Sequence, residues 1–295
     1  MGEAMSKSGP PSLQLPPYAF VRRLVLAAAP LSEAEQEQIR FLFLLVYPDL
    51  SSDSALAENP VEHHLCVLEN MMLIAGQAPA DPLLGSTNPR AQPISMKRAA
   101  ALSLLHDIAP VGKISKRQIR EIEENAQAEM DASIKNMLRQ KAAMLKVRQS
   151  EFRTLHMRKG SALAQERMLQ LNQLFEEVVF GEQDIEAICE TIRIHDNPSL
   201  DRGIDRGNWL AVCFREADRL WMMTREGILA DLSREGKPAT ESAIRERAQQ
   251  NGGRHREEAE RCYPGDTSCI NGTFYRTAPG YGVYERWCGH WGVAP

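Results

Sequence analysis

Apolar residues recur at helical spacing along most of this chain. The pattern is clearest between Ile114 and Arg148, a segment that contains neither proline nor glycine. Its apolar positions follow one another mostly at intervals of three or four residues, at 119, 122, 126, 130, 134, 137 and 145. Such intervals place apolar side chains along one face of an α-helix. The segment is therefore predicted to form one long amphipathic helix or a helical hairpin.

The same periodicity predicts helices on both sides of this segment. Ser32 followed by Glu35 is typical of a capping box at a helix start, and a second helix is predicted after Pro60. Further helices are predicted over residues 94–107, 161–178, 183–195, 208–230 and 240–260. No segment of useful length alternates apolar and polar residues as a half-buried strand does. The sequence thus predicts an all-α protein.

The two ends of the chain differ from this helical body. Residues 1–18 are rich in Pro, Ser and Gly and are predicted to lack fixed structure. Residues 19–250 are predicted to form one helical domain, with 114–150 as an inserted helical segment. The last 35 residues contain three of the six cysteines, two of the four tryptophans and four of the six tyrosines. Residues 251–295 are therefore predicted to be an irregular tail that packs on the domain.

Apolar run length and cysteine usage indicate the compartment. No run approaches the roughly 20 apolar residues that span a bilayer, and no signal peptide is predicted. We therefore expect a cytoplasmic protein with reduced thiols and no membrane partner. Three cysteines and one histidine of the tail have the chemistry of zinc ligands, but their spacing lacks the close CxxC pair, which favours ordinary buried thiols. These residues are Cys262, Cys269, Cys288 and His290.

The charge of the chain is unevenly distributed. A formal net charge of −4 argues against a basic protein that coats nucleic acid. Residues 113–160 nevertheless carry twelve Lys or Arg against six Asp or Glu. One interpretation is a small anionic ligand, and the other is a solvated helix face. We also expect the 114–150 segment to form either a lid or a homodimer contact.

Polar residues close or interrupt several apolar segments, which is costly unless they are compensated. His106 and Asp107 end a run of small and aliphatic residues, and Asp218 interrupts the apolar segment WLAVCFREADRLWMM. Further histidines are predicted in the second helix, at 63 and 64, immediately before a helix, at 156, and at the end of another, at 195. Imidazole and carboxylate together suit Fe, Mn, Zn, Co or Ni better than Ca or Mg. The alternative is a set of core polar groups that satisfy one another.

The ordered series His, His-Asp, His, His, Asp resembles the HD-domain superfamily of metal-dependent phosphohydrolases. Local contexts strengthen the resemblance over roughly residues 45–235: LLHDIA is similar to the apolar stretch before the family's HD pair, and HMRKG carries a His-x-x-x-Gly spacing. The resemblance implies two divalent transition metals bridged by Asp107 and by a water or hydroxide. It implies the ligands His64, His106, Asp107, His156, His195 and Asp218.

Two positions of this sequence do not match the family's motifs unambiguously. His63 competes with His64, and the spacing to Val67 favours His64, with His63 as a solvated neighbour. Lys113 lies six residues after Asp107, whereas many members of the family place a lysine three residues after theirs.

The HDxxED signature of guanosine-tetraphosphate hydrolases and the Gly-Tyr-Pro element of cyclic-dinucleotide phosphodiesterases are both missing, which argues against those subfamilies.

Two enzymatic functions follow from the resemblance. The first is hydrolysis of a small phosphate ester or nucleotide, with Asp107, Lys113 and Arg158 in catalytic roles. Lys159 and Arg193 are further candidates for contacts with the phosphate. The alternative interpretation of each of these cations is an ordinary surface residue. The second is a di-iron oxygenase that cleaves a C–H, C–C or C–P bond with dioxygen, because a branch of the superfamily uses the same six ligands. A degenerate, non-catalytic interaction protein is the third possibility.

Overall fold

A computed structural model describes six segments of the chain, and every one of them contains helix. The described residues are 16–51, 61–77, 94–109, 116–196, 208–263 and 269–295. They contain eleven α-helices and no strand, which confirms the all-α prediction. The helices are α1 Tyr18–Ala27, α2 Glu33–Leu50, α3 Val61–Gln77, α4 Met96–Leu105, α5 Lys116–Ala128, α6 Ala132–Phe175, α7 Glu182–Ile194, α8 Trp209–Leu220, α9 Arg225–Arg234, α10 Glu241–Cys262 and α11 Ala278–Trp291.

Helices α3 and α4 form the centre of the core. Residues 99–105 of α4 are all buried, and α3 buries most of its length, including Leu65, Leu68 and Met71. Helix α3 packs against α4, α8 and α11, and α4 packs additionally against α2 and α7. The polar side chains that these two helices bury, among them His63, His64, Asn70 and Ser103, therefore need compensating partners.

Capping side chains explain where several helices begin. At the start of α2, the Ser32 hydroxyl accepts from the backbone N–H of Glu35, and the Glu35 carboxylate accepts in return from the Ser32 N–H. This is the predicted capping box. The Asp131 carboxylate accepts from the N–H groups of Ser133 and Ile134 and so caps the start of α6, which only three residues separate from the end of α5.

The segment before His156 is a helical hairpin rather than one helix. Its second arm, α6, runs for 44 residues, so His156 lies well inside a helix and not just before one as predicted. No proline interrupts α6, and its glycine, Gly160, is tolerated there. The arm leaves Ile134, Met137 and Met144 exposed. The homodimer contact through residues 114–150 stays a prediction.

The C-terminal segment is more regular than its composition suggested. Helix α10 continues through the NGG sequence at 251–253, and α11 occupies 278–291, with Thr277 as its N-cap. Between them, the described residues contain a short 3₁₀ turn at 270–272. Tyr275, Tyr284 and Cys288 are buried within the same core cluster as α3 and α4. The segment therefore completes the core of the body.

None of the described helices combines the length and the apolar character that are needed to cross a bilayer.

Gly160 allows α6 to approach the turn that carries His106. A Cβ at this position would lie 3.4 Å from the carbonyl oxygen of His106 and 3.4 Å from Cγ2 of Ile192. We expect Gly160→Val to lower the free energy of unfolding by about 1–3 kcal/mol through overpacking, measured by chemical denaturation. Gly253→Val is the matched control, because no atom lies within 4 Å of a Cβ there. Equal effects of the two substitutions would contradict the packing argument.

Candidate metal centre

Five helical elements bring six ionisable side chains to one place. His63 comes from α3, His106 and Asp107 from the end of α4, and His156 from the middle of α6. His195 follows the last residue of α7, and Asp218 lies in α8. Five of the six residues predicted from the sequence are therefore brought together, and His63 occupies the place that was predicted for His64.

The side chains form two triads of possible ligand atoms. In the first, Nε2 of His63 lies 2.9 Å from Nε2 of His106 and 3.4 Å from Oδ1 of Asp218. In the second, Oδ1 of Asp107 lies 2.5 Å from Nε2 of His156 and 3.1 Å from Nε2 of His195. Within each triad, the atoms lie within 4.8 Å of one another.

Asp107 connects the two triads. Its Oδ1 belongs to the second triad, while its Oδ2 lies 3.8 Å from Nε2 of both His63 and His106. One carboxylate thus faces both groups of imidazoles, one oxygen towards each. This is the position that a bridging carboxylate needs to serve two cations at once.

Backbone carbonyls determine the tautomers of three histidines. The Nδ1–H of His106 donates to the carbonyl of Ser103 at 2.9 Å, and that of His195 donates to Ile192 at 2.7 Å. Both histidines are C-cap residues, and the carbonyls lie three residues earlier, among those that a helix end leaves without an intrahelical partner. The Nδ1–H of His156 donates to Ala109 at 3.0 Å. A carbonyl only accepts, so Nδ1 carries the hydrogen in all three.

In this tautomer, Nε2 of each of the three histidines carries a lone pair that points towards other hydrogen-bond acceptors of the cluster. In their neutral forms, His106, His156 and His195 each offer Nε2 as an electron-pair donor towards the centre of the cluster. Asp107 and Asp218 add carboxylate oxygens, which are acceptors as well. Lone pairs 2.5–3.1 Å apart repel one another unless a proton or a metal cation lies between them. The donor set therefore fits one or two transition-metal cations, and carbonyl-oriented imidazoles are a common feature of such sites.

Burial and mutual charge shift the pKa values of the ligands in different directions. Burial lowers the pKa of His106 to about 4, which keeps this imidazole neutral. Burial alone would raise the pKa of Asp107, but the adjacent histidines hold it well below its ordinary value. The hydrogen bond and charge of Asp107 outweigh burial at His195 and raise its pKa to about 9. Burial raises the pKa of Asp218 to about 6.

His64 lies beside the cluster but in neither triad. Its Nδ1–H donates to the Ser103 carbonyl at 3.2 Å, the same oxygen that orients His106, and its ring centroid lies 4.7 Å from that of His106. Its Nε2 is buried and has no hydrogen-bond partner among the described residues. His63, predicted to be a solvated neighbour, is only 5% exposed. Because both residues of the pair are buried, the apolar pattern of α3 carried no signal that distinguished them.

Aromatic side chains surround the imidazoles. Phe214, one turn before Asp218 in α8, packs edge-on against His106 with ring centroids 5.1 Å apart, and it also contacts His195. Trp221 packs in the same manner against His63 at 5.1 Å. These contacts restrict the rotation of the rings and exclude water from their outer sides.

Of the cations predicted near the site, the three that the structure describes are exposed and do not gather there. Lys113 lies outside the described residues. Arg158 is exposed and lines a shallow groove on the outer side of α6. It lies two residues after His156, and two residues correspond to a rotation of about 200° around a helix, so its side chain points away from the site. Lys159 and Arg193 are exposed as well.

Arg153 is a nearer cation that the sequence analysis did not single out. It lies one turn before His156, and its Nε is 3.1 Å from Oδ2 of Asp196, the residue after His195. Its i−3 spacing from His156 was the available signal, since residues three apart share a helix face.

The thiols of the C-terminal segment form no comparable group among the described side chains. Cys269 is partly buried and Cys288 is buried, and neither belongs to a cluster of possible metal ligands. The side chain of Cys262 lies outside the described part of the chain.

The geometry predicts that His63 matters more for metal binding than His64. We expect His63→Gln to weaken binding by at least about 10-fold, because it removes an atom of the first triad. His64→Gln should retain the metal content of the native chain. The measurement is metal per folded chain after gel filtration, by elemental analysis. The reverse order of effects would show that His64 turns towards the metal.

The pKa values predict that metal binding displaces a proton. In the metal-free chain, the pair of Asp107 and His195 holds a proton up to about pH 9, and a ligating imidazole must lose it. Affinity for a divalent metal should therefore rise with pH up to about 9. It should fall further below about pH 6, where Asp218 also becomes protonated. Calorimetry in buffers of different ionisation enthalpy measures the released proton, and an affinity that is constant from pH 6 to 9 would contradict the prediction.

The chain was compared with protein-family models, with curated proteins and with solved structures, and none of the three comparisons finds a match.

Proposed function

We propose that this chain is a metal-dependent phosphohydrolase of the HD-domain type that acts on a small phosphate ester or nucleotide. The observation that carries the proposal is the pair of triads joined by Asp107, in which the Nε2 atoms of four imidazoles and oxygens of two carboxylates converge. When bound there, two divalent ions such as Mn, Fe, Zn, Co or Ni supply Lewis acidity, which lowers the pKa of water and withdraws charge from phosphoryl oxygens.

The chain's own residues hold and orient this chemistry. Asp107 keeps the two halves of the site together through its two oxygens. The carbonyls of Ser103, Ala109 and Ile192 keep the histidines in the ligating tautomer. Such outer contacts restrict ring rotation and raise the basicity of the ligating nitrogen.

Arg153 is the described cation that we assign to the substrate's remaining phosphate charge. It shares the helix face of His156 and is held beside His195 by Asp196. An arginine at the rim of the site forms paired, charge-assisted hydrogen bonds with a phosphate. Asp196 competes with such a ligand for the guanidinium, so the proposal requires that Arg153 exchange one anionic partner for another.

A second candidate function rests on the same donor set. Four imidazoles and two carboxylates also suit iron, and a di-iron oxygenase would use the same side chains. The basic residue beside His156 does not distinguish the two functions, because an anionic substrate of an oxygenase would need it as well.

The hydrolase proposal predicts phosphate release without dioxygen. The native chain, purified without chelator and loaded anaerobically with each divalent ion in turn, should hydrolyse at least one member of a panel of nucleotides and phosphomonoesters. Asp107→Asn should reduce this rate to background, since both triads depend on that carboxylate. Asp131→Asn is the matched control, because asparagine caps a helix as well as aspartate does.

The same experiment can contradict the hydrolase. A panel that stays intact with every ion, together with iron that co-purifies and substrate-dependent oxygen uptake by the iron form, would favour the oxygenase. Intact esters and no oxygen uptake, despite bound metal, would contradict both enzymatic functions.

A further inference from the structure

Helix α8 faces the metal centre on one side and the C-terminal segment on the other. Phe214 and Asp218, four residues apart, share the side that contacts His106 and His63. Glu216 lies two residues from each of them and so points about 200° away around the helix. This second side contacts the chain around Phe274–Gly280.

Glu216 fastens α8 to the start of α11. Its side chain is buried, and its Oε1 accepts from the backbone N–H groups of Arg276 at 2.6 Å and Thr277 at 3.0 Å. Its Oε2 accepts from the Thr277 hydroxyl at 2.5 Å. The carboxylate thus accepts from two backbone N–H groups at the start of α11, which precede the first helical residue and have no intrahelical partner.

Gly280 makes this close approach feasible. A Cβ at Gly280 would lie 2.0 Å from Oε2 of Glu216, so any side chain there would displace the carboxylate. The Gly280 N–H donates instead to the Thr277 hydroxyl at 2.9 Å, which closes the N-cap of α11. Residues 277–280, with the sequence TAPG, therefore leave room for the Glu216 side chain and hydrogen-bond to it.

Two arginines of α8 extend the contact. The guanidinium of Arg215 lies 5.1 Å from the ring centroid of Phe274, and that of Arg219 lies 5.4 Å from the same ring. Arg219 also pairs with Glu258 of α10 at 3.0 Å. The C-terminal segment consequently contacts α8 on both sides of Glu216 along the helix.

Asp218, in contrast, has few contacts of its own. Among the described residues, the basic side chains with a nitrogen within 4 Å of its carboxylate are His63 and His106, which belong to the proposed metal centre. Its side chain is 28% exposed. The position of this carboxylate therefore depends on where the backbone of α8 lies.

We propose that Glu216 is a positioning residue for the metal centre, and that the C-terminal segment acts through it to place Asp218 opposite His63 and His106. The inference rests on the metal site of the proposed function but not on the reaction that the site performs. Loss of the Glu216 contacts releases α8 from residues 276–280, and the Asp218 carboxylate moves with the helix.

The test compares Mn²⁺ affinity per folded chain in matched variants of the full chain. Glu216→Ala should weaken binding by about 10-fold or more, and Glu216→Gln, which still accepts both backbone hydrogen bonds, should stay within about threefold of the native affinity. Asn172→Ala is the control for a purely structural loss, because Asn172 also bridges two backbone groups, the N–H and carbonyl of Phe180, away from the site. It should leave Mn²⁺ affinity unchanged.

A second pair of variants keeps the inference testable if Glu216→Ala does not fold. Thr277→Val removes the hydroxyl that donates to Glu216, and Thr277→Ser retains it. The valine variant should lose Mn²⁺ affinity and the serine variant should not. Equal affinities of these two variants would overturn the inference, as would equal losses in Glu216→Ala and Asn172→Ala.

Hydrogen exchange of the metal-free protein separates this inference from the proposed function. Thr277→Val and Glu216→Ala should accelerate amide exchange in α8 but not in α7. Unchanged exchange in α8 would overturn the positioning role even if the chain hydrolyses phosphate esters. Conversely, a native chain that binds Mn²⁺ and releases no phosphate would contradict the hydrolase, while accelerated α8 exchange with weakened Mn²⁺ binding would still support the role of Glu216.

Discussion

The repulsion between lone pairs buried around Asp107 is the main constraint on the candidate site, because a proton or a metal cation must offset it. Neutral imidazoles and carboxylates offer only acceptors to one another at 2.5–3.1 Å, and little of this cluster is exposed to water. Without a positive charge between them, such a group would destabilise the fold. In the metal-free chain, the proton shared by Asp107 and His195 supplies that charge. A metal cation supplies it more completely, so metal binding and folding stability are expected to be linked.

Ordinary helix chemistry prepares this site. Helices α4 and α7 both end at a histidine whose Nδ1–H donates to a carbonyl three residues back. The same contact satisfies a backbone group that a helix end leaves without a partner and turns Nε2 towards the centre. His156 achieves this orientation differently, through the carbonyl of Ala109 beyond the end of α4. The ligating tautomers are thus a consequence of where the helices stop.

The C-terminal segment and the metal centre share α8. Its Phe214 and Asp218 serve the site, while Glu216 and the flanking arginines serve residues 274–280. Composition alone suggested an irregular tail that packs on the domain. The segment does pack there, with Tyr275, Tyr284 and Cys288 in the central core, but it does so largely as helix. Through its contacts with α8, the C-terminal segment can influence the position of Asp218, a candidate metal ligand.

The sequence by itself determined the all-α class and most of the candidate site. Periodicity of three and four residues identifies helices because it reports which faces are buried, and the His106–Asp107 pair stood out because ionisable groups rarely end such apolar segments. The assignment of the remaining histidines and Asp218 as metal ligands then followed from their order along the chain, which resembles that of a known family. These are local properties, and they could be read without knowing how the helices pack.

Only the tertiary structure decided between neighbours on one helix. His63 and His64 differ by about 100° around α3, and both are buried, so the packing of α3 against α4 and α8 selects which ring faces Asp218. In the same way, the orientation of α6 turns Arg158 to the outside and Arg153 towards Asp196. The contact of Thr277 and Gly280 with α8 is likewise made by a buried carboxylate, Glu216, that only the packing of the helices brings to them. The direction in which a side chain points depends on how the helices pack against one another, and this information is not present in the spacing of residues along the chain.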